Sequence, residues 1–362
     1  MSQKLRTKPP LPILLGAGFS RAVAKIPTTN ELLDKALKQL KASAKEKRRR
    51  VSYEEYLRFL TVLEKLRKGR KLEDIEHLLR FLHTLDTYSK LLEYFDVSKC
   101  GIFRGVRIKT LSNCASEALD HVRIIIHREI GQGMRNIDVK VKECFLNLLD
   151  RIMKDREIHI FTLNYDELIE TLCQERRWSV VDGFEQGKYI GEWRKVEREV
   201  IFLYHIHGAL SWLKGYNGVV EKTDRSVMRR ILEIIDQRRE EIPHELEKAI
   251  ERVILYPGEP LESAYSLPFL DILFCFREIL DSSEILLVVG YSFRDKHINY
   301  EISTWLRKGN VNMKVVDPKL NKREIIDRLG TPEAEGRIDV CNKTFEKFIE
   351  NPENVYRWLW RP

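Results

Sequence analysis

Four short segments place residues capable of chemistry where an apolar, strand-like run ends. They are Gly16-Ala17-Gly18-Phe19-Ser20, Thr162-Leu163-Asn164-Tyr165-Asp166, His205-Ile206-His207-Gly208 and Gly290-Tyr291-Ser292-Phe293-Arg294-Asp295. Glycines behind a strand let the backbone approach a diphosphate closely, and a helix opening after them supplies N–H donors and a favourable dipole. A tight turn that needs glycine for its backbone alone gives the same pattern. The Asn164 amide both donates and accepts, which suits the orientation of a water or a sugar hydroxyl, and Asp166 suits an ordinary helix cap. For the histidine segment three readings stand side by side: a core pair satisfied by backbone, a metal-ligand pair, and a general base with a structural neighbour. A period of two puts His205 and His207 on one strand face. The local sequence offers no companion to complete a metal set. Gly208 clears space beside His207, whose imidazole titrates in the range a base needs near neutral pH. Gly290 and Ser292 suit a phosphate or ribose, Asp295 a helix cap, and Asp317 either a ribose hydroxyl or a turn before Pro318.

Regular elements must bring these segments together. Thr28 and Glu31 are spaced as a capping box ahead of Leu32, Leu33, Ala36, Leu37 and Leu40. Apolar residues then recur at helical spacing, as in Tyr56, Leu57, Phe59, Leu60 and Leu63, in Ile75, Leu78, Leu79 and Leu82, and in Leu119, Val122, Ile125 and Ile126. This predicts a helical insertion over 31–155. Strands are predicted to resume at Ile158–Leu163, Val200–Ile206, Val253–Tyr256, Ile285–Val289 and Val311–Val316. Helices are expected over Glu167–Cys173, Val227–Arg239, Phe269–Leu280 and Asp295–Leu306, and exposed loops at Gly183–Gly191 and Lys214–Asp224. The alternation predicts an α/β fold with a Rossmann-like, mostly parallel sheet and helices on both faces, assembled from 11–30 and 156–345, with 346–362 as a C-terminal tail. Ligands of such sheets sit at the carboxyl ends of the strands, where all four segments place their polar residues.

Composition narrows the classes. The net charge of +8 combines 63 basic with 55 acidic residues, so the charge is spread rather than concentrated as in a dedicated DNA-binding domain. The basic runs Lys45–Arg50 and Arg67–Lys71 read as solvated helix faces. Six cysteines, far apart and without a C-x-x-C pair, read as reduced thiols of a cytoplasmic protein. No segment approaches the ~20 apolar residues that cross a bilayer, and the first residues are too polar for a signal peptide.

Taken in order, G-A-G-F-S, I-P-T-T-x-E-L, T-L-N-Y-D, H-G and G-Y-S-F-x-D-x-H-I-N resemble the bacterial sirtuin-like family of stand-alone NAD-consuming proteins, best known as effectors of antiphage defence. The resemblance spans residues 11 to about 320 and leaves the helical insertion unmatched. It implies that Gly16, Ala17, Gly18 and Ser20 hold the diphosphate and that Asn164 and Asp166 line the nicotinamide-ribose pocket. His207 would act on the ribose, Gly290, Ser292 and Asp317 would face the adenosine half, and Pro27 and Thr28 would begin a flexible substrate loop. Protein-deacylating sirtuins carry two C-x-x-C pairs for a structural zinc; this sequence has neither, so the resemblance implies no metal and turns away from deacylation.

The activity so implied is NAD glycohydrolase (NADase) chemistry, releasing nicotinamide and ADP-ribose, with His207 and Asn164 as catalytic residues, in an abortive-infection role that depletes cellular NAD. The resemblance further implies a homo-oligomer, or a partner that is an ATPase or DNA translocase or a nucleic-acid-guided defence protein. The alternatives are a non-catalytic module that senses NAD or ADP-ribose and a DNA-associated subunit of a defence complex.

Overall fold

The computed structural model describes residues 8–45, 51–87, 108–193, 200–214, 219–223, 252–254 and 267–361. The basic residues 46–50 and the helix expected at Val227–Arg239 lie outside the described residues. Strand β1 (Leu11–Leu15) leads into α1 (Ala17–Ala24), followed by α2 (Thr29–Ala42), α3 (Tyr53–Lys68), α4 (Ile75–Thr87), α5 (Ile108–Gly133) and α6 (Val139–Met153). The chain returns as β2 (Ile158–Thr162), α7 (Leu168–Arg176), β3 (Ser179–Val181), β4 (Phe184–Glu185), β5 (Lys188–Tyr189), β6 (Val200–His205), β7 (Gly208–Lys214), β8 (Val220–Lys222) and β9 (Arg252–Ile254). It ends with α8 (Phe269–Asp281), β10 (Ile285–Val289), α9 (Lys296–Leu306), β11 (Asn312–Val316), α10 (Lys322–Leu329), β12 (Ile338–Cys341), α11 (Phe345–Ile349) and α12 (Pro352–Leu359).

Seven strands form one sheet in the order β12-β11-β10-β1-β2-β6-β3, every neighbouring pair parallel. A parallel sheet is covered on both faces, so its strands are apolar throughout. In β1, Leu11, Ile13 and Leu15 enter one core and Leu14 the other; β10 divides Ile285, Leu287 and Val289 from Leu286 and Val288 in the same way. The first core is capped by α1, α6, α7, α11 and α12 and runs on without a break into α2–α5, through Leu33, Tyr56, Phe59, Leu78 and Val122. The second lies under α8, α9 and α10. Helix α6 falls in the segment expected as an insertion, yet it packs against α1, β2, α7, α11 and α12 as a cover of the sheet. Residues 346–362 supply the rest of α11 and all of α12, with Ile349, Val355 and Leu359 in the first core.

A second sheet, β4-β5-β8-β7-β9, is antiparallel and was not anticipated. Part of Gly183–Gly191, expected as a loop, is its β4–β5 hairpin, and β8 lies within the other expected loop. The two-residue turn Gln186-Gly187 has positive φ at both positions, 48° and 78°, which matches the twist of a tight hairpin. Among the described residues, no helix is long and apolar enough to cross a membrane.

Chain order reverses around β1: later strands build outward on one side through β2 and on the other through β10. At that switch point the tips of β1 and β10 cross with their backbones in contact. The Gly16 N–H donates to the Val289 carbonyl at 2.9 Å and the Gly18 N–H to the Gly290 carbonyl at 3.1 Å. A Cβ on Gly16 would lie 2.4 Å from the Gly290 carbonyl oxygen, and one on Gly18 would lie 2.7 Å from the Gly290 Cα. Gly290 itself has φ +62°, in the left-handed region, and a Cβ there would meet the Phe19 nitrogen at 2.6 Å. Gly290→Ala is therefore expected to cost about 2 kcal/mol or more in chemical denaturation; wild-type stability in that variant would mean the tips can separate freely.

Candidate functional site

The first two strand tips are joined by a side-chain relay. Strand β2 delivers Asn164 and Asp166, and α1 delivers Ser20 from its first full turn. The Asn164 amide donates to the Gly16 carbonyl at 3.0 Å and to Ser20 Oγ at 2.8 Å, and Ser20 Oγ in turn donates to Asp166 Oδ2 at 2.7 Å. Asp166 Oδ1 accepts from the Leu168 N–H at 3.1 Å, so both its oxygens are engaged. The N-cap of α7 expected of it falls instead to Glu167, whose side chain makes no cap hydrogen bond, and Asp166 closes the turn just before it. Burial pushes the Asp166 carboxyl above its ordinary range, with Ser20 and the Leu168 N–H pulling the other way. The Asn164 amide oxygen accepts no hydrogen bond from a described residue and is the acceptor this cluster leaves for a ligand.

The two histidines separate, because β6 stops at His205 and the chain turns before Gly208, whose φ is +78°. A shared strand face was expected, and the turn cancels it. His205 faces α7, with Nε2 3.1 Å from Glu170 Oε1, and Glu170 also meets Lys222 Nζ at 3.2 Å. His207 is buried and places Nε2 2.8 Å from Asp295 Oδ2. Burial alone would lower the His207 pKa; the Asp295 hydrogen bond and charge, with the charge of Glu76 and the Leu163 carbonyl, outweigh it and raise it. Asp295 shows the reverse: burial raises its pKa, and the His207 contact with the Ile298 and His297 N–H groups brings it below the ordinary carboxylate range.

Asp295 does two jobs. Its Oδ1 caps α9 by accepting from the His297 and Ile298 N–H groups at 2.8 and 3.2 Å, and Oδ2 holds the imidazole. The loop that presents it is strained. Phe293 is buried at φ +52°, an uncommon conformation for a bulky residue, and its carbonyl accepts from Asn299 Nδ2 at 2.9 Å. Asn299 Oδ1 accepts from the Tyr291 hydroxyl at 2.9 Å, which makes Asn299 a brace of this loop.

Sequence reasoning missed the contribution of α4. Asp74, just before it, accepts from Arg294 Nη1 at 3.2 Å, and Glu76 Oε1 lies 3.5 Å from the Tyr165 hydroxyl. Burial pushes the Glu76 carboxyl up to about 7; the His207 charge lowers it, while Asp74 and Asp295 raise it further. The acidic pair sits in a helix read only for its apolar stripe, and no local motif marks it.

The remaining expected residues are placed as follows. The Gly16 and Gly18 amides, expected as diphosphate donors, are paired with the β10 end, and the Ala17 N–H at the start of α1 has no partner outside its helix among the described residues. Pro27 is buried, and the Thr28 hydroxyl is committed to Glu31 in the expected capping box. Ser292 is exposed at the β10 tip, and its carbonyl accepts from Arg328 at 2.5 Å. Asp317 Oδ1 closes its own turn by accepting from the Lys319 and Leu320 N–H groups at 2.8 and 2.9 Å.

The architecture is a Rossmann-type α/β sheet with a charged, hydrogen-bonded site at its topological switch point. Residues 158–318 match the family described as a SIR2-like domain, a span that holds Asn164, Asp166, His207 and Asp295 but neither β1 nor the helical segment. The chain is similar to the crystal structure of a Sir2 homologue in complex with NAD, at 12% identity over 99% of this chain and 94% of that one, with a TM-score of 0.49. It is also similar to a mutant Sir2 homologue in complex with ADP-ribose, at 12% identity over 99% and 97% of the two chains, with a TM-score of 0.48. No curated protein matches the sequence.

Glu76 makes the pH dependence of stability a test of this geometry. Its folded pKa of about 7 exceeds the ordinary 4.5, so the folded state binds the extra proton and loses stability as pH rises through that window. Glu76→Gln removes this loss. Its melting temperature relative to wild type is expected to be higher at pH 8 than at pH 5 by a few degrees; an equal difference at both values would place Glu76 in solvent.

Proposed function

We propose that this protein hydrolyses the nicotinamide–ribose bond of NAD. The observation that carries the reading is the convergence of Asn164, Ser20 and Asp166 with the His207–Asp295 pair on strand tips beside a helix start. The SIR2-like match over 158–318 supports it. The sequence has no C-x-x-C pair for the structural zinc of protein-deacylating sirtuins, which weighs against deacylation.

The reaction takes NAD and water to nicotinamide, ADP-ribose and a proton. Nicotinamide leaves as a neutral pyridine with the electron pair of the C1′–N bond, so the leaving group needs little acid help and the burden falls on positioning. The diphosphate lies at the start of α1, where the Ala17 N–H is open, and the adenosine half extends toward Ser292 and Asp317. Asn164, its amide N–H groups fixed by Gly16 and Ser20, offers its oxygen to the attacking water or to a ribose hydroxyl. Asp166 holds Ser20, and through it the Asn164 rotamer. His207 accepts the proton released at the sugar, directly or through a hydroxyl, and Asp295 orients the ring. An unregulated NAD hydrolase would kill its own cell, which fits an abortive-infection effector controlled by self-assembly or by a partner.

A base must be neutral to accept a proton, and Asp295 favours the imidazolium. The rate of nicotinamide release is therefore expected to rise with pH to a midpoint above the ordinary 6.5, and Asp295→Asn to lower that midpoint by about one unit. His207→Ala and Asn164→Ala are each expected to lose at least about 100-fold in rate. A flat pH profile, or full activity in both alanine variants, removes these roles.

The full set of bonds on the Asn164 amide N–H groups and on Asp166 favours one second reading, a module that binds NAD or ADP-ribose without turnover. It predicts thermal stabilisation by ADP-ribose with no nicotinamide released.

A further inference from the structure

Helix α4 meets the site with its acidic first turn. Its apolar residues Ile75, Leu78, Leu79 and Leu82 are fully buried against the helical segment, which accounts for how it packs. Asp74 and Glu76 are left to do something else. Asp74 is buried, caps its own helix through the His77 N–H at 3.0 Å, and reaches Arg294 with its other oxygen. Glu76 faces the Tyr165 hydroxyl. The two residues they hold stand on tips of different strands: Tyr165 lies between Asn164 and Asp166 behind β2, and Arg294 adjoins Asp295 behind β10. The Tyr165 ring centroid is 6.5 Å from that of His207. One helical turn thus spans both loops that frame the imidazole.

We propose that Glu76 is a positioning residue of this site, supplied by the helical segment, and that it holds Tyr165 and the His207–Asp295 pair in the arrangement the hydrolysis above requires; the proposal rests on that reading of His207. Asp295 then holds the imidazole directly from the cap of α9, and Glu76 bears on it from α4 through Tyr165, whose hydroxyl it meets at 3.5 Å and whose ring lies beside His207. The charged and titratable groups around Glu76 are His207, Asp74 and Asp295, with the Tyr165 hydroxyl. Because its carboxyl titrates near neutrality, its influence on His207 varies under working conditions. The arrangement also gives a route of control. Any partner or second copy that shifts α4 moves Glu76 off Tyr165 and Asp74 off Arg294 at the same time, without touching the sheet.

The test uses the full chain and two variants. Glu76→Gln keeps a hydrogen-bonding group opposite Tyr165 and removes the charge; Glu76→Ala removes both. The His207 imidazole is followed by NMR against pH, and nicotinamide release is measured against NAD concentration. Glu76→Gln is expected to lower the His207 midpoint by about half a unit or more. Its kcat should fall about tenfold with KM within about threefold of wild type, and Glu76→Ala should fall further. A wild-type His207 titration in Glu76→Gln overturns the proposal, and so does a fall in Glu76→Ala confined to KM. If wild type releases no nicotinamide, the hydrolase reading fails by itself, and the imidazole titration still decides whether Glu76 acts on His207. Should Glu76→Ala fail to fold, the near-isosteric Glu76→Gln carries both readouts.

Discussion

The site depends on two adjacent parallel strands whose tips touch backbone to backbone. Gly16 and Gly18 of one tip and Gly290 of the other leave no room for a Cβ, and their amide and carbonyl groups pair across the gap. That contact fixes where α1 starts, and hence where Ser20 stands relative to β10. The neighbouring registers extend it. The Leu163 N–H donates to the Leu15 carbonyl and the Ile206 N–H to the Thr162 carbonyl, both at 2.9 Å, so the tips of β1, β2, β6 and β10 form one backbone-bonded row. Side chains carried on such a row are set by backbone hydrogen bonds, which suits groups that must be preorganised rather than gathered by a ligand.

Electrostatics on this row runs against stability. His207, Asp295 and Asp74 are taken out of water and Glu76 partly so, while Arg294 stays exposed, and burial of such charges seldom repays its desolvation. Hydrophobic side chains of similar size would pack these positions at lower cost. The left-handed backbone at Phe293, enforced by Asn299, adds strain on the same loop. Perturbed titration, buried charge and strained backbone collected at a sheet's switch point are what make this place the candidate site.

Much of this was legible in the sequence because strand-tip chemistry is local. An apolar run that stops at glycine or at an Asn-x-Asp announces its own geometry, and the box at Thr28–Glu31 and the cap at Asp295 are present as read. What the sequence hid was non-local. The G-A-G segment reads as a phosphate cradle, but its glycines serve first a backbone crossing with a residue more than 270 positions away. Asp295 reads as a cap and is also the partner of His207, since its two oxygens point to different elements. Asp74 and Glu76 stand at the start of a helix whose periodicity explains its packing and says nothing of what that end faces. The second sheet escaped because four of its five strands are only two or three residues long, too short for alternation to stand out, and because β9, overlapping the strand expected at Val253–Tyr256, was read into the parallel sheet although it pairs antiparallel with β7.

The two histidines show how closely building and working residues are interleaved. His205, on the last residue of β6, binds Glu170 of α7, which also binds Lys222 of β8, and Lys222 reaches Asp182 at 2.6 Å. The Glu170 carboxyl is pulled down by His205 and Lys222 against its own burial, and His205 is raised in return. This network clamps the small antiparallel sheet to the parallel one on the side of β6. The only residues between the clamp and β7 are Ile206 and His207, so the turn that carries His207 is held at both ends. On its far side the imidazole meets Asp295, with α4 beyond. His207 therefore stands where the two cores of the protein meet: the helical segment belongs to one, and Trp212 and Val220 of the small sheet belong to the other. If the proposed role of His207 holds, an imidazole at such a junction would feel the seating of either body, a means of control that the sheet alone could not supply.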